Sequence, residues 1–182
     1  MLFLIAAVIL VGLVCVLDLV LTLGVIRRLR EHTELLKAVE NPSHDLTVGD
    51  AIDAFSIEDV EGRRLSADRL PAGTVVGFFS VGCQPCRAAL PKFVDHAATM
   101  PGGRDQVVAV VAGADAADAE SLVSALRPVA RVVFGDYEGV LPTAFKIKGY
   151  PSVLMVDPLA DGRLVVTDDN VDLSRAELVA AA

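Results

Sequence analysis

The chain has 182 residues, of which 53% are hydrophobic, and a formal net charge of −8. That length holds one domain of ordinary size and an appendage, and an acidic balance with no long basic run argues against nucleic acid as a partner. A structural zinc site wants four ligands, usually two cysteine pairs; the three cysteines hold only one closely spaced pair, and His32, His44 and His96 form no spaced ligand set.

From Met1 to Ile26 nearly every residue is apolar, and Asp18 is the one charge. The run exceeds the ~20 residues a helix needs to cross a bilayer. No basic stretch precedes it and no small-residue cleavage site follows, so residues 1–26 are expected to form an uncleaved transmembrane anchor rather than a signal peptide. A helix buried in a soluble fold is the alternative, but an all-round apolar surface at an N-terminus disfavours it. Cys15 reads as a small apolar filler, because a thiolate is disfavoured there. Asp18 is costly in hydrocarbon and is expected toward an interface, or against a partner helix. Residues 27–45 read as a juxtamembrane helix and linker: Arg27–Glu40 continues the helix in polar form, and Asn41-Pro42-Ser43-His44 breaks it. Arg27, Arg28 and Arg30 would keep the following domain, 46–182, in the cytoplasm by the positive-inside rule.

Within that domain strand-like and helix-like segments alternate. Phe55–Val60 and Arg63–Leu65 flank Glu61-Gly62 as a small hairpin. Thr74–Ser80 reads as a buried strand, and Pro85–Thr99 as a helix with Pro91 inside it. Gln106–Ala112 reads as a strand covered on both faces. Ala117–Leu126 is helical, Arg131–Phe134 a short strand, and Val140–Ile147 a helical turn. Val153–Val156 and Arg163–Thr167 form a hairpin around Asp161-Gly162. The tail ends in a short helix, with Ser174-Arg175-Ala176-Glu177 as capping box. The pattern predicts an α/β fold with a mixed central sheet and helices on both faces.

Cys83-Gln84-Pro85-Cys86 falls at the junction of the Thr74–Ser80 strand and the helix after it. A thiol there meets unpaired backbone N–H groups and the positive end of the helix dipole, which favour its thiolate. Two thiols in one turn can close and open a disulfide. A purely structural disulfide is the plain alternative, but so tight a loop would stabilise the fold weakly. Pro91 should kink the helix and leave its first turn locally independent. Downstream, Gly149-Tyr150-Pro151-Ser152-Val153 places a proline just before a strand, where a cis bond is accessible. The backbone of Tyr150 would then be free to hydrogen-bond an extended substrate beside the thiols.

The dithiol, the kinking proline and the later Tyr150-Pro151, in this order on a βα pattern, resemble the thioredoxin superfamily. The closer resemblance is to membrane-anchored thiol–disulfide proteins of the TlpA/ResA type, within the broader AhpC/TSA-redoxin group, and the anchor with its arginines is similar to MauD-like accessory proteins. Val48-Gly49-Asp50 with Phe55 resembles the family's opening motif, and Asp59-Val60-Glu61-Gly62 with Leu65-Ser66 and Leu70 its first hairpin. The resemblance implies a thioredoxin-like fold, catalytic Cys83 and Cys86, and substrate binding by Tyr150 and Pro151, with no metal or cofactor. It also implies partners: protein thiol or disulfide substrates and an upstream dithiol donor, membrane-bound or soluble. It places the domain outside the cytoplasm on a single-pass anchor in the cell membrane, against the arginine count. Three positions depart from the family pattern. Gly82 replaces an aromatic residue before the first cysteine, Gly77 a buried Asp, and Ala89 a Glu found in some reductases of this type.

The function expected is a membrane-tethered oxidoreductase that exchanges its CxxC dithiol with protein substrates, in either direction. A peroxiredoxin-like peroxidase is the first alternative, because Ser80-Val81-Gly82-Cys83 resembles a peroxidatic S/T-x-x-C. A non-enzymatic copper-binding assembly factor is the second, because paired thiols suit Cu(I). A scaffold in which the thiols do nothing is the third.

Overall fold

The structure is a computed structural model that describes residues 43–173 together with Met1, Ile5, Gly12 and Leu13. In chain order the strands are β1 (Ala51–Ile52), β2 (Ser56–Glu58), β3 (Arg64–Ser66), β4 (Thr74–Ser80), β5 (Val107–Ala112), β6 (Arg131–Gly135), β7 (Ser152–Pro158) and β8 (Leu164–Asp168). The helices are α1 (Gln84–Ala98), α2 (Ala116–Leu126) and α3 (Val140–Ala144).

β4 and β5 are buried at every position, as strands covered on both faces must be. They lie in a six-stranded sheet of order β1-β8-β7-β4-β5-β6. β4, β5 and β6 run parallel, while β7, β8 and β1 add on antiparallel. Alternation along β4 divides the core. Val75 and Phe79 face α1 and α2, where they pack with Cys86, Phe93, Leu122 and Leu126. Val76 and Phe78 face the opposite side, with Leu46, Phe55, Leu65, Leu141 and Phe145. Helices thus cover both faces of a mixed sheet, as the alternating pattern predicts.

The β2–β3 hairpin stands outside the main sheet and is fastened to β6 through Asp59. The Asp59 side chain is 0% exposed. Its Oδ1 accepts from the N–H groups of Glu61 (3.0 Å) and Arg63 (2.9 Å), and its Oδ2 from Nε of Arg63 (3.2 Å) and Arg131 (3.1 Å). Burial pushes this carboxyl up. The hydrogen bonds from Arg63, Arg131 and Glu61 outweigh that push, so it sits below the ordinary carboxylate value. Val60 N–H completes the seam by donating to Val132 O (2.8 Å).

Several boundaries differ from the sequence expectation, each for a local reason. α3 stops at Ala144 instead of running to Ile147, because Lys146 adopts φ 48°. Lys146 N–H donates to Thr143 O (3.0 Å) and Ile147 N–H to Pro142 O (2.9 Å), the bond pair of a Schellman stop with a lysine where glycine is commoner. β1, which pairs with β8, is two residues long and carries no readable period. Residues 43–45 fall in the expected linker, yet they belong to the fold. Ser43 O accepts from Lys148 N–H (2.8 Å) and Gly149 N–H (2.9 Å), and buried His44 bridges to Ile147 and reaches Asp169 O through Nε2 (2.9 Å). Helix α1 passes through Pro91 without a break in its assignment.

Among the described residues no helix is long and apolar enough to cross a membrane. The expected anchor over 1–26, with Cys15 and Asp18, falls almost wholly outside the described residues. The juxtamembrane helix over 27–40 and the tail helix at Ser174–Glu177 lie outside them altogether.

Candidate active site

β4 ends at Ser80, and the chain turns at Gly82, whose φ of +76° is a conformation side chains resist. Cys83 follows as the N-cap of α1, in extended backbone geometry. Its sulfur accepts from Cys86 N–H at 3.1 Å, which satisfies one of the orphan donors of the first turn. Pro85 sits inside that turn, where a missing N–H does no harm. No acidic residue occupies the first turn, so nothing there opposes negative charge on a cysteine sulfur. Cys83 and Cys86 are joined as a disulfide, with Cα atoms 5.2 Å apart. Cys83 is partly exposed and Cys86 is fully buried. An incoming group therefore reaches Cys83 first.

The Tyr150–Pro151 peptide bond is cis, and the Tyr150 carbonyl oxygen lies 3.6 Å from Cys83 Sγ. Residues 83, 86, 150 and 151 thus come together across a sequence gap of more than sixty positions. Among the described residues, neither the N–H nor the C=O of Tyr150 has a backbone partner. In the reduced state the Cys83 thiol would have that carbonyl as its acceptor.

Two further residues complete the site, and neither was found in the sequence. Tyr137, in the β6–α3 loop, meets the Tyr150 ring edge-on, at 5.9 Å between centroids and 80° between planes. Tyr150 OH donates to Tyr137 O at 3.4 Å. Burial, and then the neighbouring Tyr137, hold the Tyr150 phenol above the ordinary tyrosine range. Phe93 is the second. A Cβ at Gly77 would stand 2.5 Å from its Cε2 and 2.7 Å from its Cζ. The space inside β4 at this position is therefore filled by an aromatic ring two turns along α1 from Cys86. The buried ionisable side chains besides Cys86 are, among the described residues, His44 and Asp59, and both are committed elsewhere. Among the described residues no buried acid stands free to serve Cys86. Unusual aromatic content could have flagged Tyr137, since the chain has two tyrosines and one already stood beside Pro151.

Two hollows open on the surface, the first of them beside the dithiol turn. One, of about 250 Å³, is lined by Ser80, Gly82, Arg87, Leu90, Asp118 and Leu122. The other, of about 310 Å³, runs from Tyr137 past Pro142 and Ile147 to Lys146 and Lys148. No three His, Cys, Asp or Glu side chains among the described residues converge in a way that would hold a metal ion.

No protein-family model matches the chain, and no curated protein matches it significantly in sequence. Solved structures do match. A thiol:disulfide interchange protein from Bacteroides sp. aligns with a TM-score of 0.55 at 19% identity, over 75% of this chain and 90% of that one. The thioredoxin domain of a thiol-disulfide oxidoreductase from Bacteroides vulgatus gives 0.54 at 18% identity, over 75% and 99%. A secreted disulfide oxidoreductase from Mycobacterium tuberculosis gives 0.52 at 20% identity, over 70% and 96%. The chain has a thioredoxin-like fold. On the thioredoxin-like frame the dithiol turn sits at the C-terminal end of β4, and Tyr150-Pro151 leads into β7, which pairs antiparallel with β4. That adjacency puts the Tyr150 carbonyl next to the sulfur of Cys83.

Proposed function

We propose that this protein is a membrane-tethered thiol–disulfide oxidoreductase of the TlpA/ResA type, acting on protein thiols and disulfides. One observation carries the reading: two cysteines bonded to each other at a helix N-terminus, the more exposed one 3.6 Å from the carbonyl of Tyr150, which has no backbone partner among the described residues.

In the reducing direction, Cys83 attacks a substrate disulfide as thiolate. A Cys83–substrate S–S bond forms, the substrate's own S–S bond breaks, and the departing sulfur takes up a proton. The Cys86 thiol gives up its proton and attacks Cys83 Sγ. This forms the Cys83–Cys86 bond and releases the second substrate sulfur as a thiol. Two electrons pass from the dithiol to the substrate, and an upstream dithiol donor returns them. The reverse sequence oxidises a substrate dithiol. The helix terminus favours the first thiolate. Burial disfavours the second, so departure of the substrate is expected to be the slower step at neutral pH. Tyr150 and Pro151 would hold the substrate segment extended, by hydrogen bonds to the Tyr150 N–H and C=O, which have no backbone partner among the described residues. The apolar run at 1–26 supports a membrane anchor, and the resemblance to TlpA/ResA-type proteins, against Arg27, Arg28 and Arg30, is what favours a domain outside the cytoplasm.

Trapping tests the roles. Cys86→Ser should accumulate a mixed disulfide with substrate through Cys83, and Cys83→Ser should accumulate none. Equal trapping by both variants would overturn the assignment.

A further inference from the structure

We infer that Tyr137 is a specificity residue: with Tyr150 it forms an aromatic docking face that selects protein disulfides carrying a large apolar or aromatic side chain within two positions of the reacting cysteine. The inference rests on the exchange reading and names its substrate class.

Four observations lead to it. The Cys83 sulfur, the Tyr150 carbonyl and the Tyr150 ring lead outward to the Tyr137 ring, with 3.6 Å for the first step and 5.9 Å between the rings. Tyr137 is 47% exposed although Tyr150 covers one side of it, so the rest of its ring is open to a partner. Val140, three residues on, is 51% exposed, and the hollow of about 310 Å³ beyond Tyr137 includes Pro142 and Ile147. Val140 therefore extends the apolar surface beside Tyr137, while Asp45, Glu138, Thr143, Lys146 and Lys148 edge the hollow beyond it. Finally, the N–H and C=O of Tyr150 have no backbone partners among the described residues.

An extended substrate segment can take those two groups as a strand takes an edge. Its side chains then alternate in direction, and residues two apart lie ~6.6 Å from each other on the same side. With the substrate cysteine directed at Cys83 and its backbone on Tyr150, a side chain within two positions of that cysteine would meet the Tyr150–Tyr137 pair. An exposed tyrosine rewards large apolar and aromatic groups there, because aromatic contacts add to area burial.

The test uses the full-length chain, purified in detergent micelles and reduced. Its exchange rate is measured with disulfide-linked peptides bearing Phe or Ser at each of the four positions around the cysteine. We expect a Phe-over-Ser preference of about three- to tenfold at one position or more. Tyr137→Ser should bring the ratio close to one, and Tyr137→Phe should keep it. A ratio near one in the wild type, or one that Tyr137→Ser leaves unchanged, overturns the inference. So does a Tyr137→Ser variant that changes self-association, by sedimentation, and not selectivity. Bis(2-hydroxyethyl) disulfide separates the two readings. If the wild type does not exchange with it at all, the exchange function has failed; if it does, a flat peptide series condemns the docking face alone.

Discussion

Substituting Gly77 with alanine tests the packing under the dithiol helix. The new Cβ would stand 2.5 Å and 2.7 Å from two carbons of the Phe93 ring and 3.0 Å from Cε2 of Phe79. Carbon atoms pack at about 3.5–4.0 Å, so the ring must retreat by about 1 Å. It has little room. Phe93 and Phe79 are both fully buried, with their rings edge-on at 5.1 Å. Forcing a methyl group into such a core costs about 1–3 kcal/mol. Gly77 does not have a positive φ, so alanine suits the backbone and returns roughly 0.5–1 kcal/mol of unfolded-state entropy. The clash outweighs that gain, and Gly77→Ala should lose about 1–2 kcal/mol. The measurement is urea unfolding of the purified chain followed by far-UV circular dichroism. Phe93→Leu removes the ring edge and is expected to be destabilising alone. Combined with Gly77→Ala, the total should fall below the sum of the single effects by about 1 kcal/mol. Single effects that add to within ~0.5 kcal/mol, or a Gly77→Ala variant as stable as the wild type, would refute the claim that Phe93 occupies this space.

Asp59→Ala should be the most damaging polar truncation in the domain, by about 3 kcal/mol in the same assay. It orphans two backbone N–H groups and leaves Arg131, 15% exposed, with backbone carbonyls but without the Asp59 carboxylate; Arg63 is 43% exposed and can turn to water. Folding lowers the Asp59 carboxyl, so its stabilisation is full above the unfolded value of ~3.9 and is lost as pH falls through the lower folded value. The stability gap between wild type and Asp59→Asn should therefore narrow in unfolding curves from pH 7 down to pH 3, and a constant gap would contradict this. A membrane-impermeant thiol reagent applied to reduced, intact cells should label Cys83, as the proposed extracytoplasmic side requires; labelling only after lysis would put the domain in the cytoplasm.

Much of this protein can be read from local sequence. Strands such as Val107–Ala112 are apolar throughout because both faces are covered, and a central strand shows that in its composition alone. The dithiol turn is equally local. Gly82 supplies the positive φ, Cys83 caps, Pro85 tolerates the first turn, and all three lie within four positions. Pro151 signalled its loop because proline restricts the backbone wherever it occurs.

What the tertiary structure decided are contacts between residues far apart in the chain. Asp59 meets Arg131 across 72 positions, through the way a hairpin leans on a sheet edge, and no periodicity encodes that. Gly77 read as a missing acid; only the seating of α1 on β4 reveals that a phenyl ring from residue 93 fills its place. Tyr137 carried no signal in the sequence; only the chain's return past α3 sets Tyr150 against it. Short-range conformational preference is written residue by residue, whereas the neighbours of a side chain depend on register, helix seating and loop closure, which belong to the whole chain at once.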